Sequence, residues 1–291
     1  MERERWKRLY AMALAKGKLP RSGTYFGVAR IVGVFLWSVL HDRPVCWACR
    51  GENWPEDLRP SALPSQPTMS RRLRSAAVQE LLRAMAEDLV HGTVPGWVKS
   101  IDSKPLPVGD HSKDHDATWG RSFSGRLRLK GYKFHAVWDS GPMPLAWEVT
   151  GMNVHDSRAA ARLLPQLHAG GYVLADCQYD HNKLYDLAAR HGHQLVAHRQ
   201  HPQAGLGHHR HSPFRLRSIA LQRTAFGRAL MNQRNAIERQ FGGLTSFGGG
   251  LAPLPSWVRN LPRVWLWLTA KLLINALRIR QNSQPTLLAP A

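Results

Sequence analysis

Apolar and polar positions change their period twice along the chain, and the changes divide it. From Tyr25 to Leu40 (YFGVARIVGVFLWSVL) the run is apolar and bounded by Gly23 and by Asp42-Arg43-Pro44, which predicts a buried helix. A second helix is expected from Thr68, as its cap, through TMSRRLRSAAVQELLRAMAEDLV, where Met69, Leu73, Ala76 or Ala77, Leu81 and Met85 recur at helical spacing. Past His91-Gly92-Thr93 the pattern turns to strands: Trp97 to Asp102 (WVKSID), Gly131 to Asp139 (GYKFHAVWD) and Leu145 to Thr150 (LAWEVT), separated by Gly and Pro turn signals. It then alternates. Asp156-Ser157 opens a helix (SRAAARLLPQL), Tyr172 to Asp176 (YVLAD) is a short apolar strand, HNKLYDLAARHG is a helix and Gln194 to His198 (QLVAH) is a strand.

An antiparallel three-stranded meander followed by strands alternating with helices implies an α/β fold, with a mixed five-stranded sheet flanked by helices. A small all-helical region precedes it, giving expected divisions at residues 1–96, 97–280 and a tail at 281–291. Between Arg199 and Arg223 the chain is rich in His and Arg, with Gly205, Gly207 and Pro213, and a mobile surface loop is expected there. A helix follows whose apolar stripe is Phe226, Leu230, Ile237, Phe241 and Leu244, with Glu238 at the edge of that stripe and Arg234 four residues before it. The final helix, Val264 to Ile279, is expected to close the α/β domain.

Charge narrows the partners. With 40 Lys and Arg against 20 Asp and Glu in 291 residues, the formal net charge is +20. Each neutralised phosphate of a nucleic acid releases counterions, so DNA is the first candidate partner and an anionic membrane surface the second. The apolar run Val264 to Leu277 is too short to span a bilayer and contains Lys271. No leader pattern opens the sequence and three cysteines make no disulfide framework, so a cytoplasmic location is expected. In the N-terminal region, Arg71, Arg72 and Arg74 crowd one helix after a link carrying Pro60, Pro64 and Pro67. That arrangement suits a helix-turn-helix meeting backbone phosphate, and equally a helical bundle with a solvated basic face.

The acids are distributed unevenly. Residues 187–291 hold fourteen Lys and Arg and a single acid, Glu238. Asp102 and Asp176 each end a predicted strand, and ligands of open α/β sheets gather at strand ends. Three carboxylates converging there would suit two Mg²⁺ or Mn²⁺ ions about 3.5–4 Å apart, since hard cations prefer oxygen ligands. Taken singly, each acid has a plainer role: an Asp capping a turn, or a Glu paired with Arg234.

The segments SIDSKPL, LKGYKFHAVWDSGPMPLAWEVTGMNVHDS, VLADCQYD and RNAIERQFGGL, in that order, resemble DDE transposases of bacterial insertion sequences, in the insertion sequence 4 and 5 group. The stretch LPSQPTMSRRLR also looks like the segment preceding the catalytic domain in these proteins. The resemblance implies an RNase H-like catalytic domain in which Asp102, Asp176 and Glu238 bind two divalent metal ions for phosphoryl transfer. It also implies DNA as partner, both terminal inverted repeats and target, engaged by a homodimer on paired ends in a bacterial, nucleoid-associated setting. The family's last motif carries a Tyr three residues before its Arg and a Lys seven residues after its Glu. Here Arg234 and Glu238 match, while Met231 and Thr245 occupy those flanking positions, with Arg239 or Arg228 as possible substitutes. Two other readings follow: a metal-dependent nuclease that cuts without joining, and a catalytically decayed DNA-binding protein.

Other chemistry-bearing residues divide less sharply. Cys46 and Cys49 form CWAC, a zinc-ribbon spacing that lacks a second ligand pair nearby and reads as core thiols. Seven histidines between His191 and His211 have no fixed spacing and read as a DNA-facing or solvated loop. Asp139, Asp156 and Asp180 occupy turn and cap positions. Lys130 and Lys133, with Arg121, Arg126 and Arg128, make the best candidate phosphate-binding cluster, and Trp119 and Tyr132 are candidates for stacking on an unpaired base.

Overall fold

A computed structural model of the chain describes residues 2–17, 25–121, 128–208, 210–245, 251 and 253–283. Contacts divide the protein into two compact units. One holds Met1–Gly92 and the chain from Pro262 onward; the other holds Thr93–Thr245 with Leu251–Leu261. Arg126 lies outside the described residues, as does the tail beyond Ser283.

The helical unit starts with α1 (Glu2–Lys16), which the hydrophobic pattern did not single out, because only Trp6, Leu9 and Ala13 of its charge-rich sequence are buried. α2 (Val28–Leu40) is buried on nearly every side, as its continuous apolar run requires. Around them, Trp6, Trp37 and Trp54 form a cluster, and each indole N–H donates to a carbonyl, of Gly33, Asn53 and Ala48 respectively. After the short α3 (Val45–Ala48), which carries Cys46 and is followed by Cys49, both free thiols, the expected single helix from Thr68 proves to be two. α4 (Gln66–Arg72) is capped by Ser65, whose side chain accepts from the Thr68 N–H, so Thr68 is inside the helix and not its cap. The chain then breaks over Leu73–Ser75, and α5 (Ala76–Val90) starts with Ser75 as its cap residue.

In the second unit a six-stranded mixed sheet forms, one strand more than expected. β1 (Val98–Pro107), β3 (Arg128–Trp138) and β4 (Ala146–Gly151) are the predicted antiparallel meander. The extra strand, β2 (Thr118–Arg121), is four residues long and pairs with β3 over Arg128–Gly131, just beyond the stretch paired with β4. α6 (Asp156–Leu163) follows, with His155 and not Asp156 as its cap residue, the imidazole accepting from the Ser157 N–H. β5 (Gly171–Ala175), α7 (Asn182–Arg190) and β6 (His193–Ala197) complete the alternation, with β5 parallel to both β1 and β6. β5 is a continuous apolar run, as a strand covered on two faces tends to be, while β6 opens on His193 and Gln194 before its apolar Leu195–Ala197.

Two apolar layers cover the sheet. On one face Ile101, Val137, Val173 and Ala175 pack with Ala160 and Leu163 of α6 and Leu184, Tyr185 and Ala188 of α7. On the other, Leu174 and Val196 pack with Leu230 and Met231 of α9 (Ala225–Asn232). α10 (Ala236–Thr245) covers the same side, with Phe241 edge-on to Phe134 and Trp138.

Two expectations fail on the C-terminal side. The segment Arg199–Arg223 is not one loop: from Pro213 to Arg223 it is α8, with Ser212 capping the N–H groups of Phe214 and Arg215 and Pro213 opening the first turn. The last helix, α11 (Leu261–Ser283), was expected to close the sheet domain, but from Pro262 it belongs to the helical unit. There its buried Lys271 faces Asp42 at 3.8 Å, and Arg280 donates to the carbonyls of Asp88 and His91. No helix among the described residues is long and apolar enough to cross a membrane.

Candidate active site

The site begins with a register. Gly171, at φ +95°, opens β5 against the carbonyl of Trp97, and a Cβ there would overlap that carbonyl oxygen. The Tyr172 N–H donates to the same carbonyl at 2.9 Å, and pairing runs on through Val98 with Tyr172 to Ser100 with Leu174. Two residues beyond the last paired position stand Asp102 and Asp176, side by side by that register: Asp102, expected to end its strand, lies inside β1, which runs on to Pro107, and Asp176 is the first residue past β5. Both share strand parity with Ser100 and Leu174, so both belong to the face covered by α9 and α10. Arg234 and Glu238 lie on that covering segment, Arg234 in a single 3-10 turn before α10 and Glu238 in the first turn of α10.

Backbone donors hold the two aspartates in place. Asp102 Oδ1 accepts from the Ser103 N–H at 2.7 Å, and Asp176 Oδ1 accepts from the Gln178 N–H at 2.8 Å. Burial pushes the Asp102 carboxyl up to about 7; the Ser103 bond and Arg234 oppose the rise, while the charges of Asp176 and Asp156 add to it. Asp176 is raised as well, chiefly by burial, with Asp156 adding to the shift and the Gln178 bond and Arg234 opposing it. Both carboxyls are therefore raised mainly because they are buried, with neighbouring acids adding to the shift.

Arg234 is the cation that answers them. Its guanidinium stands 3.9 Å from Asp102 Oδ2 and 3.4 Å from Glu238 Oε1, linking an acid on the sheet to one on the helix. Glu238 itself is 61% exposed. Among the described residues no group of three or more His, Cys, Asp or Glu side chains is gathered closely enough to hold an ion. The chemistry of the donor set nevertheless fits a hard divalent cation: oxygen ligands in excess of positive charge, with a guanidinium lodged between two of them as a stand-in. Asp156, assigned from the sequence to a cap position, also acts on this site through its charge. It is fixed by Lys133 at 3.1 Å, while the buried His135 imidazole, pushed down to about 4 chiefly by burial, stands 3.4 Å away without a hydrogen bond to it.

The remaining candidates are dispersed. Lys133 is turned to Asp156 and Lys130 donates to the Ser112 carbonyl, so both are tied down within the protein, whereas Arg121 and Arg128 are exposed and Arg128 lies over the Trp119 ring. Tyr132 is not available for stacking: it is fully buried and donates to Asp114. Met231 packs on β5 and β6, Arg239 is exposed on α10, and Thr245 ends that helix. Arg71 and Arg72 occupy the last turn of α4 and Arg74 follows it. Asp180 is a fully buried ion-pair partner of Arg215, and Asp139 accepts from the N–H groups of Gly96 and Gly141.

Residues 95–273, more than half of the chain, match the transposase DDE domain family. The chain belongs to this family. The matched segment spans the whole sheet, both aspartates, Arg234 and Glu238, and a mixed sheet flanked by helices is consistent with the RNase H-like fold of DDE domains. Membership in the transposase DDE family gives the protein a transposase-type function and DNA as its partner. No curated protein matches the chain.

Proposed function

We propose that the protein cleaves DNA at the ends of its own insertion sequence, of the insertion sequence 4 and 5 group, and joins those ends to target DNA. The observation that carries this reading is the register of β1 and β5, which sets Asp102 and Asp176 abreast on the face covered by Arg234 and Glu238. Asp102, Asp176 and Glu238 would hold two Mg²⁺ or Mn²⁺ ions. Bound there, such ions supply Lewis-acid stabilisation of the attacking and leaving oxygens of an in-line displacement. The raised Asp102 carboxyl fits this role, because a carboxylate short of positive charge gains most from a cation.

In the first step water attacks the phosphodiester at the transposon end; a P–O bond forms to the water oxygen, the 3′ oxygen leaves, and it takes up a proton. In the second step that 3′ hydroxyl attacks a target phosphodiester, loses its proton, and displaces the target's own 3′ oxygen. Arg234 keeps Asp102 and Glu238 paired before the substrate arrives. Arg239, Arg121 and Arg128 offer exposed charge to the DNA backbone from the sheet unit, and the exposed Arg71 and Arg74 with the half-buried Arg72 offer it from the helical unit, which we assign to end binding. A homodimer on paired ends, working in the bacterial cytoplasm at the nucleoid, completes the proposal.

The experiment combines pre-cleaved ends, supercoiled target DNA and Mg²⁺. Joined product that disappears in Asp102→Asn is the expected result. Cleavage without joining would leave a nuclease. A second reading, a decayed DNA-binding protein, draws on Met231, whose side chain fills an apolar contact with Leu174 and Val196 where the family carries a Tyr. It requires that Glu238→Ala change neither DNA binding nor mobility.

A further inference from the structure

One face of the β2–β3 ladder is left to solvent, and its side chains are of one kind. The register sets Trp119 opposite Lys130 and Arg121 opposite Arg128, and directly opposed residues of an antiparallel pair share a face. The chain after β4 closes the other face: the Thr118 hydroxyl donates to Asn153 Oδ1, and a Cβ on Gly120 would overlap the Met152 carbonyl oxygen. Trp119 and Arg121 are therefore held outward by a fixed strand. Trp119 keeps 41% of its surface exposed, with the Arg128 guanidinium 5.8 Å from its ring centroid, and Arg121 and Arg128 are exposed as well. No residue of the ladder is acidic, and the acids just before it are engaged by backbone donors, Asp114 by the N–H of Asn260 and Asp116 by that of Leu261.

Arginines alone would serve a duplex, whose outer surface is phosphate and sugar. The indole adds little there, because the bases of a duplex are stacked on one another. An exposed flat ring beside two cations suits an unpaired strand, whose bases are free to stack while its phosphates meet the arginines. The place fits as well. Lys130 is six residues from Ala136, the partner of Asp102 across β1 and β3, and both lie on the same face of the sheet, so the ladder stands about 20 Å along the sheet from the acid pair. We propose that Trp119, Arg121 and Arg128 form a platform for a single DNA strand, Trp119 stacking on an unpaired base and the two arginines holding phosphates beside it. Its nearness to a cut strand rests on the reading of the acid pair as the cutting site; the binding itself does not.

The full-length protein is titrated in a chelator, where no strand is cut, with labelled oligo-dT and with a labelled duplex of equal length, and fluorescence anisotropy reports the affinity. Trp119→Ala is expected to bind oligo-dT at least about fivefold more weakly and the duplex within about twofold of the parent; Trp119→Phe, which keeps a ring, should recover most of the loss, and Trp119→Leu should not. The double variant Arg121→Ala with Arg128→Ala should reduce the log–log salt slope of oligo-dT binding by about 1.4, about 0.7 for each phosphate contact removed, whereas Trp119→Ala leaves that slope unchanged. Unchanged oligo-dT affinity in Trp119→Ala would overturn the inference, as would an unchanged slope in the double variant. Equal losses for oligo-dT and duplex would overturn it too, leaving a contact to the duplex backbone only. So would recovery by Trp119→Leu, because bulk and not stacking would then be what the site needs. These titrations need no cutting, so absence of joined product with Mg²⁺ would remove the transposition reading and leave the platform standing.

Discussion

Asp180 and Asp102 both face an arginine in the same sheet unit, and the two arginines answer them very differently. Arg215 meets Asp180 with two nitrogens, Nε and Nη2, each at 2.7 Å, and the Gln200 N–H and the Tyr185 hydroxyl supply further donors. Burial alone would raise the Asp180 carboxyl, yet the hydrogen bonds and the guanidinium hold it below the usual carboxylate value. Asp102 has one backbone donor and an arginine 3.9 Å away, and burial carries it up to about 7. A carboxylate that the fold satisfies is a structural element. One that is buried, partnered at a distance and near other acids is kept in a state the fold alone does not stabilise, which supports the proposal that a cation completes the arrangement at Asp102.

The sharpest way to break this comparison is to remove Arg215. Asp180 has no exposed side-chain surface and would be left as an unpaired buried charge, so Arg215→Ala is expected to cost about 3–5 kcal/mol of stability. Urea unfolding at pH 7 measures it. A loss below about 1 kcal/mol, the scale of a surface pair, would show that the Asp180 pair is as slack as the one at Asp102.

Asp102→Asn should behave in the opposite sense, keeping or gaining stability while losing function. Removal of one preorganised electrostatic group costs about 10²- to 10³-fold in rate, which is the expected loss in end cleavage under Mg²⁺. The stability effect carries a pH signature. Burial pushes the folded Asp102 carboxyl up to about 7 from an ordinary value of 3.8, so between these values the folded state holds a proton that the unfolded chain has released. Stability therefore rises as pH falls through 7, by roughly 1 kcal/mol between pH 8 and pH 6. That gain should be present in the parent and missing from Asp102→Asn. Identical pH profiles of the two proteins in chelator would contradict the burial-driven shift.

The distinction between the two aspartates was only partly legible in the sequence. Asp176 could be placed just past a strand end, because its apolar run stops there, but Asp102 could not, since β1 runs on to Pro107 and holds it in mid-strand, and Arg234, expected on one helix with Glu238, lies in the 3-10 turn before that helix. The register that brings the aspartates abreast could not be read, since it depends on Gly171 meeting the Trp97 carbonyl across a parallel pair. Tertiary burial likewise decides that Tyr132 is inaccessible and that Lys133 is turned to Asp156. Local signals were also overridden by composition. Ser212-Pro213 is an ordinary helix opening, obscured by the His- and Arg-rich residues before it, and Ser75 caps a helix in a stretch whose apolar period continues across the break. The last helix has an apolar pattern that fits any core, and its place in the helical unit is set by Asp42, Asp88 and His91, more than 170 residues earlier in the chain.

The smallest expected effect probes the weak side of the comparison directly. Arg234 is 18% exposed and reaches Asp102 and Glu238 only at 3.9 and 3.4 Å, distances that give a loose electrostatic contact in place of a paired fork. Arg234→Ala is expected to change stability by less than about 1 kcal/mol, in contrast to Arg215→Ala, because half of what it balances is the exposed Glu238 carboxylate. Asp102 would lose the Arg234 charge that opposes its rise and should titrate still higher, so the stability gain on acidification should begin at a higher pH than in the parent. Urea unfolding of parent and variant across pH 6 to 9 reads both quantities at once. A large loss of stability with an unchanged pH profile would make Arg234 a structural anchor like Arg215, and the two arginines would then differ only in distance.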